Sequence, residues 1–397
     1  MFGKRYCIFR LLIVCLAIVS SLCLFIQFID DNHLSLEEKE SITGIQPNKI
    51  VHDEIKSTRS ELDIFVDENP KTVVYYAPYN MTKPIFVDRN DENIFSADKE
   101  NLRVIGIQPR SDLLGIVAVL QPGYFFSNLQ CTSTSNLADW TLSPSSPIVH
   151  NYDLVLPIIT DGGCSINNFF QGILPKLIQA RGWIKFKEIK FLVHGSCDPL
   201  IGSILGEFGI TTQRLISFKG GAIRSERLVN TCIVPPTHPE IFKKAREILG
   251  ISTSVKDAND VVLLLPSDTQ LLRNANQVSK FLERRYGHRF KDLEEQYSVN
   301  QVKSSFRKAK IIIGIHNAIL SNMFFAPVGC AIIEIVGTKA DGTVRPANVD
   351  PRLIWHLAIS MGHKYYRIIE NPVSMVGSIY LTISKLEKTL NIAENQI

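Results

Sequence analysis

Arg307-Lys-Ala-Lys-Ile-Ile-Ile-Gly-Ile-His316-Asn-Ala-Ile-Leu-Ser-Asn322-Met-Phe-Phe-Ala-Pro327-Val-Gly-Cys-Ala-Ile-Ile-Glu334-Ile-Val336 sets two short apolar runs, Ile311 to Ile315 and Cys330 to Val336, around a polar middle. Gly314, His316, Asn317, Ser321 and Asn322 interrupt the apolar pattern, and Pro327-Val328-Gly329 breaks it. The spacing predicts strand, tight turn, short helix, turn, strand. In such a unit the loop after the first strand meets a helix N-terminus, whose backbone N–H groups and dipole favour an anion such as a diphosphate. The same pattern also fits a buried crossover in which His316 and Asn322 satisfy backbone groups. It is neither a Walker loop nor a G-x-G-x-x-G fingerprint.

Outward from this stretch, helix and strand signals alternate. Val261 to Leu265 reads as a first central parallel strand, followed by the loop from Pro266 to Asn274 and a helix from Gln277 to Tyr286. A short strand at Arg289 to Leu293 and an amphipathic helix at Ser298 to Ala309, with Val302 and Phe306 on one face, lead into the opening stretch. Beyond it come a helix at Pro351 to Met361, a strand at Lys364 to Ile369 and a helix at Ile379 to Ala393. The polar run Gly250 to Asn259 marks a domain boundary. Upstream, strands are expected at Thr72 to Tyr76, Val104 to Ile107, Leu114 to Leu120, Leu154 to Ile159, Ile189 to Val193, Arg214 to Phe218 and Arg227 to Val234. A helix opened by Gly162-Gly163 runs to Ala180, and another, Leu200 to Phe208, is closed by Gly209. His194 and His238 read as loop histidines, with substrate contact as the alternative.

With 397 residues, 45% apolar and 21% charged, the chain has room for two globular domains. A net charge of +4 is too small to point to nucleic acid. Leu11 to Ile29 carries no charge and is about the length of a membrane span, with Lys4, Arg5 and Arg10 before it and Asp30 and Asp31 after. That asymmetry predicts a cytosolic N-terminus and a luminal body; a cleaved signal peptide is the alternative. The expected order is tail 1–10, anchor 11–29, polar stem 30–71, N-terminal domain 72–250 and C-terminal domain 251–397. Asn80-Met81-Thr82 is an N-glycosylation acceptor. Cys7, Cys15 and Cys23 lie at the anchor; Cys131, Cys164, Cys197, Cys232 and Cys330 in the body leave at least one thiol unpaired. No C-x-x-C or H-E-x-x-H pattern marks a zinc site.

The opening stretch resembles the signature of the family 61 glycosyltransferases: a His-Gly-Ala-Gly-Leu-Thr-Asn loop, an apolar pair, Phe, a Pro-Gly turn and an apolar strand ending in Glu. His316, Ala318, Leu320, Asn322, Phe325, Pro327, Gly329 and Glu334 match in order, while Asn317 and Ile319 replace the glycines. Asn168, Phe169, Phe170, Leu174, Pro175 and Lys176 resemble a second family segment, with Gln171 in place of its histidine. After Val261 the family carries arginines and then an Asn-Glu helix start. Here Ser267 and Gln270 stand in the arginine positions, Ala275 replaces the Glu, and Arg273 and Asn274 remain.

The resemblance implies an α/β chain of GT-B type, a pair of Rossmann-like domains facing each other behind the anchor and stem. It implies transfer of a hexosyl or pentosyl group from a nucleotide sugar, UDP-linked, to a glycan or glycoprotein acceptor in the Golgi or endoplasmic reticulum. Inversion is expected, with no metal and no cofactor. On this reading His316, Asn317, Ser321, Asn322, Arg273 and Asn274 bind the donor, Glu334 meets a ribose or base hydroxyl, and Asp161 is the candidate base. The departures keep a second class in view, a catalytically inactive anchored relative that binds glycans or assists another transferase. Homodimerisation is left open by the sequence.

Overall fold

The computed structural model describes residues 60–108, 113–126, 137–160, 163–251, 257–265, 271–293, 298–338, 352–371 and 378–397. The expected anchor 11–29 and Asp161 lie outside them. No helix among the described residues is long and apolar enough to cross a membrane.

Two sheets organise the molecule, a mixed α/β architecture of the kind a Rossmann-like glycosyltransferase has. The first contains β1 (Lys71–Tyr75), β4 (Leu114–Leu120), β5 (Gly123–Phe126), β6 (Ile148–Pro157), β7 (Lys190–His194), β8 (Leu215–Phe218) and β9 (Ala222–Asn230). Their order is β1-β4-β9-β6-β7-β8, with β5 also on β9; β9, β6, β7 and β8 run parallel and the rest antiparallel. β2 (Asn80–Met81) and β3 (Gly106–Ile107) form a separate two-stranded ladder. Of the strand expected at Val104 to Ile107, only β3 forms.

The second sheet is parallel throughout: β10 (Asp260–Leu264), β11 (Phe290–Leu293), β12 (Ala309–Ile315), β13 (Ala331–Gly337) and β14 (Lys364–Glu370), ordered β11-β10-β12-β13-β14. Its central strands are apolar on both faces because both faces are covered. On one face Val261, Leu263, Ile313 and Ile333 pack with Val278 and Leu282 of the helix Ala275–Tyr286 and with Leu386 and Leu390 of the helix Ile383–Gln396. On the other, Val262, Leu264, Ile312 and Ile332 join Val302 and Phe306 of the helix Val299–Phe306 in a core that continues to Leu154, Leu156 and Phe191 of the first sheet. Each such side chain contributes roughly 1.5–3 kcal/mol on full burial.

Two stretches fold differently from the sequence expectation. The segment read as stem ends in a helix, Glu61–Glu68, capped by Ser60 and burying Leu62 and Val66, so folded structure begins before Thr72. Residues read as part of the N-terminal domain cross to the second sheet. Ile85 exchanges backbone hydrogen bonds with β14, Asp91 accepts from Ile369 N at 2.9 Å, and Trp355 Nε1 donates to Thr82 O at 2.9 Å. The crossing covers an edge strand that would otherwise present unpaired N–H and C=O groups.

Candidate functional site

The order of the second sheet locates a crevice before any side chain is considered. From β10 the chain passes to β11 on one side, then returns past β10 to β12 and continues outward to β13 and β14. Connections therefore leave β10 and β12 in opposite directions, and beyond the carboxyl ends of such a strand pair open α/β sheets bind ligands. β10 ends at Leu264 and β12 at Ile315; His316 is the next residue.

Parallel register sets Gly314 beside Glu334 and Glu334 beside Arg367. Gly314 is required by close approach: a Cβ there would stand 2.7 Å from Leu320 Cδ2 and 2.8 Å from Leu264 O. His316 Nδ1 donates to Glu334 Oε1 at 2.6 Å. The other carboxylate oxygen accepts from Tyr365 OH and, at 3.1 Å, from Arg367 Nη2, and Arg367 Nε donates to Tyr365 OH at 2.9 Å. All four residues are buried. Burial alone would push the Glu334 carboxyl up, but the charges of His316 and Arg367 and the hydrogen bonds from His316 and Tyr365 hold it below its ordinary range. An ionised carboxylate only accepts, so Glu334 fixes the proton on Nδ1 and with it the orientation of the ring. This corrects the expectation of a ribose contact: Glu334 is 0% exposed and both its oxygens are engaged.

After His316 the chain forms not an α-helix but a 3₁₀ segment, Ala318–Phe325, all eight residues buried. Asn317 caps it from extended backbone, φ −159°, so this position makes no demand for glycine's left-handed freedom. Within the segment Ser321 Oγ and Asn322 Oδ1, in residues 1% and 4% exposed, find no hydrogen-bond partner among the described residues. The turn after it places Gly329 at φ +90°, which favours glycine.

The second family-like segment packs on this one. It starts at a disulfide, Cys164–Cys197, and is clamped there by Asp198, whose carboxylate accepts from Ile166 N at 3.0 Å. Instead of one continuous α-helix it contains a π-helical turn, Phe169–Ile173, before the helix Leu174–Gln179. Phe170 stacks on Phe324 at 5.2 Å and lies 6.4 Å from Phe325, so the fold brings together two stretches more than a hundred residues apart. Gln171 is half-buried in the π-turn.

The remaining nominated residues divide. Arg273 is exposed, its backbone N–H bonded to Ile379 O. Asn274 is buried, and its amide clamps Leu381 through both backbone groups at 2.9 and 3.0 Å, which makes it an anchor of the 378–381 segment rather than a ligand contact. His238 is the N-cap of the helix Pro239–Ile248, with Nε2 2.8 Å from Ala77 O. His194 is exposed beside Phe218. Asn80 is exposed on β2. Cys232 is disulfide-bonded, and Cys330 is a buried thiol.

Sequence reasoning passed over Tyr365, Arg367, Arg246 and His363. Arg246 donates from Nε to Phe324 O at 2.9 Å and from Nη1 to Met361 O at 3.0 Å, and its Nη2 stands 3.1 Å from His363 Nε2. Burial lowers its pKa to about 10. The signal was present in both cases. Tyr365 and Arg367 alternate with apolar residues in one strand, and Arg246 falls on the buried face of its helix with Ile241, Phe242 and Ala245. A cation inside an apolar pattern requires an acceptor elsewhere.

No curated protein matches the chain. Residues 158–333, which contain the second motif segment, all of β12 and the first motif up to the residue before Glu334, match the model of the Glycosyltransferase 61 family. Over that region the chain is similar to the Glycosyltransferase 61 family.

Proposed function

We propose that the chain transfers a hexosyl or pentosyl group from a nucleotide-sugar donor, UDP-linked, to a glycan or glycoprotein acceptor, with inversion at the anomeric carbon. The observation that carries this reading is the position of His316. It is the first residue beyond β12 at the strand-order reversal, its ring is oriented by Glu334, and it heads a buried segment in which Ser321 Oγ and Asn322 Oδ1 have no partner among the described residues.

A departing nucleoside diphosphate concentrates negative charge, and preorganised donors aimed at that charge lower the barrier. We assign donor contacts to His316, Ser321, Asn322 and Arg273, with Asn317 at the mouth of the segment they line, Glu334 acting through His316 and no metal ion in the assignment. The two sheets serve as GT-B-like halves, the second on the donor side and the first on the acceptor side. The Cys164–Cys197 disulfide supports an oxidising compartment. We therefore keep the type II layout: anchor 11–29 in the Golgi membrane, or in that of the endoplasmic reticulum, and a glycan on Asn80. A second reading, a catalytically inactive accessory relative, is favoured by one observation: Asn317 already caps the segment whose N-terminus would receive the diphosphate.

Calorimetric titration of the full-length chain, solubilised in detergent, with UDP and UDP-sugars tests the assignment. Micromolar binding that His316→Ala abolishes while the chain stays folded is the expected result. A folded wild-type chain that binds none of these nucleotides would overturn the donor assignment for them.

A further inference from the structure

The first N–H groups of a helical segment normally lack partners, which is what makes such an end receptive to an anion. In this chain one of them, Ile319 N, is capped from within, and the groups on either side of it are held by backbone bonds. Asn317 Oδ1 accepts from Ile319 N at 3.1 Å, the Asn317 carbonyl accepts from Leu320 N at 3.1 Å, and His316 N donates to Ile335 O at 2.8 Å. Asn317 is also the only half-buried residue between Ile311 and Val328; its neighbours on both sides are buried. Its side chain is thus the part of the stretch within a ligand's reach, and its amide oxygen holds a place where a phosphate oxygen would accept.

A second observation points to a ligand at the same place. In a threefold helix Asn322 lies one turn beyond Ile319 on the same face, and Ser321 one turn beyond Ala318. Both are more than nine-tenths buried, and Ser321 Oγ and Asn322 Oδ1 have no partner among the described residues. Buried polar atoms are nearly always paired, so two orphans in one segment are groups that a bound molecule can complete.

We propose that Asn317 is an internal competitor for the donor diphosphate: its amide closes the end of the 3₁₀ segment, and a nucleoside diphosphate binds there by displacing it. This rests on the donor-site reading given above. Asn317 then sets how tightly this chain holds its donor. It does so by occupying the site, not by adding a contact.

The test uses the full-length chain, UDP as the probe, and wild type, Asn317→Gly, Asn317→Asp and His316→Ala. Asn317→Gly removes the competing oxygen and is expected to bind UDP more tightly, by about the five- to tenfold that one capping hydrogen bond represents. Asn317→Asp keeps a capping oxygen but adds negative charge, and is expected to lose UDP binding while its melting temperature without nucleotide stays at the wild-type value. This second variant keeps the test decisive if the glycine variant fails to fold. UDP binding unchanged or weakened in a folded Asn317→Gly overturns the proposal, as does undiminished binding by Asn317→Asp. If His316→Ala abolishes binding in that case, the donor site stands and only the competitor role falls. If UDP binding survives His316→Ala, or no variant binds UDP, the donor site is not here and both fall.

Discussion

Two buried polar groups stand next to each other in this fold and differ in one respect. On β13 and β14, Glu334, Tyr365 and Arg367 hold His316 through hydrogen bonds that use both oxygens of the carboxylate. In the 3₁₀ segment that follows His316, Ser321 and Asn322 are as deeply buried, but Ser321 Oγ and Asn322 Oδ1 are unpaired among the described residues. A saturated network in low dielectric rigidifies what it joins, whereas an unsaturated one raises the free energy of the chain that holds it. The first group is architecture that aims a ring. The second is surface prepared for something else to complete.

The contrast is tested most severely at Glu334. Glu334→Ala removes the carboxylate that the buried Arg367 guanidinium pairs with, and removing one member of such a pair costs about 3–5 kcal/mol. Denaturant titration measures it, and a loss below about 1 kcal/mol would mean that water reaches the cluster and that the two regions do not differ in kind. The double variant with Arg367→Met should lose clearly less than the two single losses added, because it removes the stranded charge as well. Arg246→Ala comes next. It strips hydrogen bonds from the carbonyls of Phe324 and Met361, and an expected loss of about 2–3 kcal/mol, read in the same way, follows from bonds made by a charged donor.

Much of this was legible in the sequence, and the exceptions have physical causes. Apart from β11, the strands of the second sheet are largely apolar runs of five to seven residues where both faces are covered, so Val261 to Leu265, Ile311 to Ile315, Cys330 to Val336 and Lys364 to Ile369 fall within two residues of β10, β12, β13 and β14. The helix expected at Leu200 to Phe208 is observed at Pro199–Glu207, with Gly209 at φ +78°. The strand Gly123–Phe126 was missed because four residues are too few to show alternation against Gly and Pro neighbours. The crossing of Thr82, Ile85 and Asp91 to the second sheet was missed because it is a long-range pairing that leaves no local period. At the site, His316 and Glu334 were found as separate motif residues, but their pairing depends on the β12–β13 register, which no residue count supplies. Asn317 was read as a residue standing where the family has glycine, and the structure uses its side chain as a cap.

The third effect is a pH dependence. Burial, and then the Arg246 charge, hold the His363 imidazole well below its ordinary value, so the folded chain keeps it neutral where the unfolded chain protonates it. Below about pH 6.5 the unfolded state therefore binds more protons, and stability falls as pH falls, by at most about 1.4 kcal/mol per pH unit for one histidine. Glu334 works in the same sense, since its folded pKa is also depressed, but in a lower window. Its depressed pKa contributes stability that is complete above the ordinary carboxylate value of 4.5 and is lost only on further acidification through its folded pKa. Melting temperatures measured from pH 7.5 to 5 should decline, and His363→Asn should flatten the decline. A curve unchanged by that substitution would assign the slope to other groups, His238 first, since burial lowers its pKa as well.

The smallest expected effect on stability is also the most informative about the second group. Ser321→Ala removes a hydroxyl that has no partner among the described residues, so the fold they form loses no hydrogen bond and sheds a desolvated polar atom. Stability should stay within about 1 kcal/mol of wild type and should, if anything, rise. A ligand that supplies the missing partner would feel the change instead, and UDP affinity should drop by about tenfold, as one lost hydrogen bond of about 1.4 kcal/mol predicts. A serine that is neutral for folding and needed for binding is not part of the frame. If the substitution instead destabilises the chain by 2 kcal/mol or more and leaves UDP affinity unchanged, Ser321 belongs with Glu334 as architecture, and the line between the two regions has been drawn in the wrong place.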